Sequence, residues 1–374
     1  MKIAIIHDEL VRKGGAEQVA LSFHKAFPQA PIYTLSYNAQ KTYPEFGSCI
    51  IKSSWFGWFI KDENNLKRFF FPFAIWAMRS LNLKEYDVIL QSTTHCSKYI
   101  KVKPGALVCT YCHTPFRLVW RAETYEEVAN AGGIKRKLYN WVIGILRKVD
   151  SKSAKRTDWF LTNSKEVVPR IIDAYHPPQP VTVINPPVKC INFFVADKVK
   201  DYYLVVSRFE PYKKVDLVID AFNNMPNRKL VIVGKGSMEK VLKQKSGANI
   251  TFLHGLDAEQ LAACFSNCKG FIFPQLEDYG ITPLEANASG RPVIAYGKGG
   301  VLDTMIPVKN GNTKNATAVF FESQTVESLS AAIDHFETLV FDPHFIRHHT
   351  ETFDEVHFIE KIRSFVSAKF QGLV

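Results

Sequence analysis

Short apolar runs, separated by longer stretches whose apolar positions recur at helical spacing, organise this chain. "KIAIIH" (2–7), "YDVILQS" (86–92), "ALVCTYCH" (106–113) and "WFLTNS" (159–164) have the length and composition of buried strands. Strands that are apolar on both faces, alternating with helix-length segments, predict parallel βαβ units with helices on both sides of a sheet. "HPPQPVTVINPPVKC" (176–190) holds five prolines, makes a poor helix or central strand, and marks the approach to a domain boundary. The pattern then restarts with "YYLVVS" (202–207), "KLVIVG" (229–234), "ITFLHG" (250–255), "GFIFP" (270–274) and "PVIAY" (292–296). Two doubly wound α/β domains follow, over residues 1–195 and 196–354. An amphipathic helix over about 355–374 is expected to pack back on the first. Ligands of open α/β sheets bind beyond the carboxyl ends of the strands. The two crevices are therefore expected to face each other across a cleft, with functional residues just after strands.

Composition sharpens this. The 374 residues, 46% hydrophobic and 22% charged, suit a folded chain of two domains. The net charge of +11 is uneven: residues 1–195 carry 27 Lys+Arg against 15 Asp+Glu, and residues 196–374 carry 20 against 21. One half is thus expected to meet an anionic surface, membrane or nucleic acid. No nucleic-acid recognition motif accompanies the charge. Aromatics mixed with basic residues over 52–80, and eight basic residues against Asp150 alone over 135–156, suit the interface of an anionic membrane. The longest apolar run, "FFFPFAIWAM" (69–78), is far short of the roughly 20 residues that span a bilayer. Seven cysteines, an odd number, and an opening that goes straight into a strand point to a reducing cytoplasm.

Candidate chemistry sits at strand ends. After the first strand, Gly14-Gly15 opens a helix, where a backbone can approach a ligand and the helix N-terminus favours anions. The spacing is not that of a dinucleotide fingerprint. "CTYCHTPFRLVW" (109–120) contains C-x-x-C-H, but Cys109 falls inside a strand and no second ligand pair supports zinc. His113 stands just past that strand. Arg208 follows the first strand of the second half, with Lys213 and Lys214 at the next helix start; three cations there suit a diphosphate. "VGKGSM" (233–238) adds a second glycine loop around Gly234. In "LEDYGITPLEANASGRPVIA" (276–295), Thr282-Pro283-Leu284-Glu285 reads as a capping box, so Glu285 is expected to close its own helix end. Glu277 precedes the loop, and the amides around the helix start can hold negative charge.

In this order, "GGAE", "YCHTPFRLVW", "TNSKEV", "NPPV", "SRFEPYKKVDLVIDAF", "FLHG" and "EDYGITPLEANASGRPVIAYGKGG" resemble the retaining glycosyltransferases of family four, with Glu277 and Glu285 as their E-x7-E pair. "YCHTPFRLVW" is most similar to mannosyltransferases of bacterial O-antigen, lipopolysaccharide, capsule and exopolysaccharide assembly. The resemblance implies a GT-B fold, an N-terminal acceptor domain and a C-terminal nucleotide-sugar donor domain. It further implies that Glu285 holds the ribose, Glu277 meets the donor sugar, and Arg208 with Lys214, or Lys213 in its place, holds the diphosphate. Backbone of Asp278, Tyr279, Gly280, Ile281 and Thr282 would complete the cradle, with Gly234 nearby. Gly255 and Leu256 would flank the base, Gly14 and Gly15 would pass close to phosphate or acceptor, and His113 would approach the donor sugar. Retention of configuration is implied by the family alone. Arg121 and Lys235 depart from its pattern, each standing where an acidic residue is usual.

No D-x-D triplet is present, whereas fixed cations and a helix N-terminus are; metal-independent transfer without a cofactor is expected. The partners expected are a nucleotide sugar, GDP-mannose or a UDP-sugar, and a lipid-linked or saccharide acceptor at the cytoplasmic face of an anionic membrane. Two other readings remain: another GT-B enzyme such as a nucleotide-sugar epimerase or a phosphorylase, and a non-catalytic membrane- or polyanion-binding module. A phosphorylase would need a pyridoxal-binding lysine setting, which the sequence lacks.

Overall fold

A computed structural model describes residues 1–62, 65–66, 69–122, 125–309 and 311–372. Lys67 and Arg68 of the basic-aromatic stretch lie outside the described residues. The chain divides into two compact units, Met1–Pro186 with Val356–Val374, and Pro187–Glu355. The division falls between the two prolines of "NPPV", nine residues before the boundary at 195/196 expected from the sequence. The proline-dense stretch itself still contributes a two-residue strand to the first unit.

The first unit is built on a seven-stranded parallel sheet in the order β3-β2-β1-β4-β5-β6-β7. Its strands are β1 (Ile3–His7), β2 (Ile32–Thr34), β3 (Ile51–Ser53), β4 (Val88–Thr93), β5 (Leu107–Cys112), β6 (Trp159–Thr162) and β7 (Thr182–Val183). Every residue of β1, β4 and β5 is buried, as strands covered on both faces require. Register pairs Ile5 with Leu90 and Leu90 with Cys109, so the mouths of β1, β4 and β5 open side by side. The C-terminal helix, Glu355–Gln371, turns Phe358, Ile362 and Val366 into this core at i, i+4, i+8. Phe358 stacks on Phe23 with ring centroids 6.0 Å apart, and the Arg363 guanidinium donates to the Ala26 carbonyl.

The second unit repeats the plan in a six-stranded parallel sheet, β10-β9-β8-β11-β12-β13. These are β8 (Tyr203–Val206), β9 (Leu230–Val233), β10 (Ile250–Leu253), β11 (Gly270–Phe273), β12 (Val293–Tyr296) and β13 (Ala318–Phe321). In both sheets the strand order reverses beside the first strand, between β1 and β4 and between β8 and β11. A crevice forms at such a reversal because the crossing helices lie on opposite faces. Four strands escape the sequence pattern. β2, β3 and β7 span three, three and two residues, too few to show a period. β13 follows directly on the polar tract 309–317.

Candidate functional site

In the second unit the loop after β8 meets the loop after β11. Lys213 ends a short 3₁₀ turn, Pro211–Lys213, and its ammonium is ion-paired to the Glu277 carboxylate. Lys214 is the next residue, with φ 54° and ψ 32°, a left-handed conformation that glycine adopts most readily. The two adjacent lysines thus differ in the structure. Lys213 supplies the side chain at Glu277, while Lys214 supplies the turn that starts the helix Val215–Asn223. Arg208 is exposed at the end of β8, its guanidinium donating to the Tyr212 hydroxyl at 2.8 Å.

Glycines let these loops close on each other. A Cβ at Gly234 would fall 1.9 Å from the Ser207 carbonyl oxygen, and one at Gly236 would meet the Phe209 backbone at 2.6 Å. The "VGKG" loop is thus laid directly against the Arg208 strand end, and the Lys235 carbonyl accepts the Phe209 N–H while its side chain is exposed. Below Glu277, the Gly300 N–H donates to the Glu277 carbonyl, and a Cβ at Gly300 would lie 2.3 Å from the Tyr279 Cα. Gly299 and Gly300 therefore hold the 277–279 loop in place, a role missed in the sequence although "GKGG" stood in the matched motif. By contrast Gly255, at φ 66°, has open space around it and Leu256 is half-buried. The His254 imidazole Nδ1 beside them lies 2.9 Å from the Gly234 carbonyl oxygen.

The helix after β11 runs Ile281–Ala288 with Gly280 at its N-cap, at φ 87°, and no side chain caps it. The capping box expected at Thr282 does not form. Thr282 lies one residue inside the helix, and Glu285 falls in the second turn, too far along to reach back to the cap. Gly280 takes the cap because the sharp exit from Tyr279 needs a positive φ, with the Phe273 ring 3.0 Å from where a Cβ would stand. The first-turn amides of Ile281 and Thr282 have no intrahelical acceptor. Pro283, which has no N–H, occupies the third position at no cost. Glu285 is half-buried, and its carboxylate has no hydrogen-bond or ion-pair partner among the described residues. Desolvation alone pushes its pKa up to about 7. A carboxylate left without donors beside a helix start is poised for hydroxyls from outside the chain.

In the first unit, His113 follows β5 and is 9% exposed. Its Nε2 lies 2.9 Å from Ser92 Oγ, which lies 3.1 Å from the Nδ1 of His7. Burial lowers the His7 pKa despite the neighbouring Asp8 and Glu9 carboxylates. His113 is thus oriented from below by a hydroxyl at the mouth of β4. Gly14 is the N-cap of the helix Gly15–Ala26. A Cβ at Gly14 would stand 2.5 Å from Glu17 Oε2, so the chain's own first-turn carboxylate lies over the glycine loop. Burial pushes Glu17 up to about 7, against the pull of Arg12, whose Nε is 3.0 Å away. Arg12 also pairs with Glu9 at 3.2 Å, and Glu9 with His95 Nε2 at 2.8 Å. Against desolvation, the Asp8 and Glu9 carboxylates hold the His95 imidazole well above its usual range. This polar cluster was hidden in "HDELVRKGGAE"; its signal was a run of charge directly after a buried strand. Asp8, His95 and Cys96 bring ligand atoms within 4.8 Å of one another. Asp8, however, already accepts backbone N–H bonds from Thr94, His95, Cys96 and Ser97, and so serves as the clamp of that loop. Cys109 and Cys112 are buried in β5 with thiols pushed up to about 12, as inert core residues.

Residues 191–340, which include every second-unit residue described above, match the family Glycosyl transferases group 1. Over that span the second unit is similar to the group 1 glycosyltransferases. Among the curated relatives of the chain is the alpha-1,3/1,6-mannosyltransferase ALG2 of Candida glabrata, 24% identical, with 92% of this chain and 86% of that protein aligned. A GDP-mannose-dependent alpha-(1-6)-phosphatidylinositol monomannoside mannosyltransferase of Mycolicibacterium smegmatis is 30% identical over 131 residues, 30% of this chain and 34% of the relative. In architecture the chain is similar to Anabaena HepE in complex with UDP, with a TM-score of 0.70 at 18% identity over 98% of this chain and all of that one. It is also similar to the sucrose-phosphate synthase of Thermosynechococcus elongatus, with a TM-score of 0.73 at 16% identity over the whole of both chains. The fold is GT-B.

Proposed function

We propose that the chain moves mannose from GDP-mannose, with retention of configuration and without a metal, to a lipid-linked or saccharide acceptor in bacterial surface polysaccharide synthesis. The observation that carries this is the unpartnered Glu285 carboxylate, in the helix that follows the loop of the Lys213-paired Glu277. Those groups have complementary jobs on a nucleotide sugar. Glu285 accepts from the ribose hydroxyls, while Arg208 and Lys213 neutralise the diphosphate. Glu277 accepts from donor-sugar hydroxyls while holding Lys213 in place. The Ile281 and Thr282 amides add the positive end of a helix dipole, with Asp278, Tyr279 and Gly280 shaping the approach. Gly234, Gly255 and Leu256 lie toward the base. In the first unit His113 is assigned to the donor sugar by the family resemblance, and the Gly14-Gly15 loop, screened by Glu17, suits a neutral acceptor better than phosphate.

The chemistry needs no covalent nucleophile. The bond between the anomeric carbon and the diphosphate oxygen breaks, and the nucleoside diphosphate leaves with its added charge held by Arg208 and Lys213. The acceptor oxygen bonds to the same face of the anomeric carbon, and a donor phosphate oxygen takes its proton. Fixed cations acting on a developing phosphate charge supply what a metal supplies elsewhere. Mannose is favoured by the mannosyltransferase relatives aligned over most of the chain. A UDP-sugar is the second reading, favoured by the UDP and UDP-glucose in the HepE complexes. No helix among the described residues is long and apolar enough to cross a membrane. We place the chain at the cytoplasmic face of an anionic membrane because its first unit carries the positive charge. A melting-temperature screen with GDP- and UDP-sugars tests the donor, since a ligand that binds only the folded state raises the transition by mass action. A rise with GDP-mannose is expected, and no rise with any nucleotide sugar would overturn the reading.

A further inference from the structure

Three helices of the first unit expose apolar side chains that meet one another. In the helix Gly133–Ala154, Ile143 and Leu146 enter the core, whereas Ile134, Leu138 and Trp141 are 87%, 57% and 59% exposed. Their i, i+4, i+7 spacing puts these three on one side of the helix, away from the buried stripe. The Trp141 ring meets Phe71 edge-on at 6.2 Å, which joins this stripe to the helix Phe70–Ser80. There Phe73 and Trp76 are exposed and lie 6.0 Å apart. Phe73 stacks on Phe56 at 6.4 Å, and the short helix Phe56–Phe59 ends in Trp58 and Phe59, 70% and 80% exposed. Single exposed apolar side chains are ordinary, but a connected aromatic surface is an interaction surface.

Charge selects what covers it. Lys135, Arg136, Lys137 and Lys148 are exposed on the same long helix. The one acid between residues 135 and 156, Asp150, is fully buried, with its carboxylate 3.1 Å from the Lys98 ammonium. The exposed charge of this helix is therefore wholly positive. A second copy of the chain would set that charge against itself. Aromatic rings ringed by Lys and Arg instead match a lipid surface, with rings at the headgroup boundary and cations on anionic headgroups. We propose that this face docks the first unit onto an anionic lipid bilayer, with Trp58, Phe59, Trp76, Ile134, Leu138 and Trp141 as the inserted side chains. The proposal gives the membrane reading above a specific surface, and it rests on that reading for its biological setting only.

Cosedimentation of the full chain with vesicles tests it, comparing pure phosphatidylcholine with phosphatidylcholine mixed with phosphatidylglycerol. Binding is expected only with phosphatidylglycerol present. At roughly fivefold per basic residue, Lys135→Gln/Arg136→Gln/Lys137→Gln should weaken it about a hundredfold. Ile134→Ser/Leu138→Ser should weaken it at least about tenfold and remove the part that survives high salt. Undiminished vesicle binding by both variants would overturn the proposal. So would a dimer in sedimentation velocity that the apolar variant abolishes. The thermal shift with GDP and UDP is run alongside. Loss of vesicle binding by the wild type with an intact nucleotide shift sinks the docking alone; the converse sinks the nucleotide-sugar reading alone.

Discussion

The Lys213 ammonium is ion-paired to the Glu277 carboxylate, tying the loop after β8 to the loop after β11 at the point where the strand order reverses. Each partner is held while still partly open to solvent, at 13% and 21% side-chain exposure. A diphosphate arriving there finds a cation already oriented, so little side-chain entropy is left to lose on binding.

That pair separates two adjacent lysines experimentally. Lys213→Ala should lower kcat/KM by at least about a hundredfold, on the scale of removing one electrostatic group from a reacting phosphate. Lys214→Gly should keep turnover and raise stability by about 1 kcal/mol, because Lys214 occupies a left-handed turn that costs a side chain roughly that much. Steady-state kinetics and urea unfolding of the two variants check this. A collapse of turnover in Lys214→Gly with normal rates in Lys213→Ala would reverse the assignment.

Glu285 makes stability depend on pH in a definite direction. Its folded pKa is raised from 4.5 to about 7, so between those values the folded chain binds more protons than the unfolded one. Stability therefore falls as pH rises through that window, and the loss is complete above about pH 7. Glu285→Gln removes this dependence. The variant should match the wild type near pH 5, melt higher near pH 8, and bind the donor more weakly by about tenfold. Glu17, also raised to about 7, contributes equally to both proteins and cancels in the difference. Parallel melting curves across pH would show that Glu285 is solvated rather than waiting for a ligand.

The glycines under Glu277 can be told from those that merely turn the chain. Gly300→Ala drives a Cβ to 2.3 Å from the Tyr279 Cα and should cost about 1–3 kcal/mol, with loss of donor binding. Gly255→Ala meets open space and pays only for its φ of 66°, about 1 kcal/mol, with donor binding retained. Chemical denaturation and nucleotide titration of both variants give the comparison.

Much of the fold was legible because parallel strands covered on both faces must read as unbroken apolar runs, as "IAIIH" and "VILQST" do. Edge strands carry no such constraint, which is why Ile51–Ser53 and Thr182–Val183 left no trace. In the site, Arg208, Lys213 and Glu277 could be found from their place after strands. The role of Glu285 was misread at one step. Threonine, proline and glutamate in capping-box order compete with a glycine that can take φ 87°, and the tight turn after Tyr279 made Gly280 the cap. The choice between Lys213 and Lys214 depends on a backbone angle that neighbouring lysines cannot reveal in sequence. The chain of ion pairs from Glu17 through Arg12 and Glu9 to His95 joins residues from two strand ends, a proximity that only the β1–β4 pairing creates.

The buried pair behind the proposed lipid-facing helix makes a separate prediction. Lys98 and Asp150 are 1% and 0% exposed, and Asp150 also accepts from Trp120 Nε1 and the Tyr175 hydroxyl, both at 2.8 Å. Asp150→Ala strands a buried ammonium and should cost about 3–5 kcal/mol. Lys98→Met/Asp150→Leu should recover most of that loss in urea unfolding, since it removes both charges at once.

The most direct test of the account is calorimetric titration of GDP-mannose into the full chain in the presence of EDTA, for the wild type and for Lys213→Ala. The account predicts saturable one-site binding by the wild type without free metal, weakened by at least about tenfold in the variant. Equal binding by both proteins, or binding by neither unless a divalent cation is restored, would contradict it.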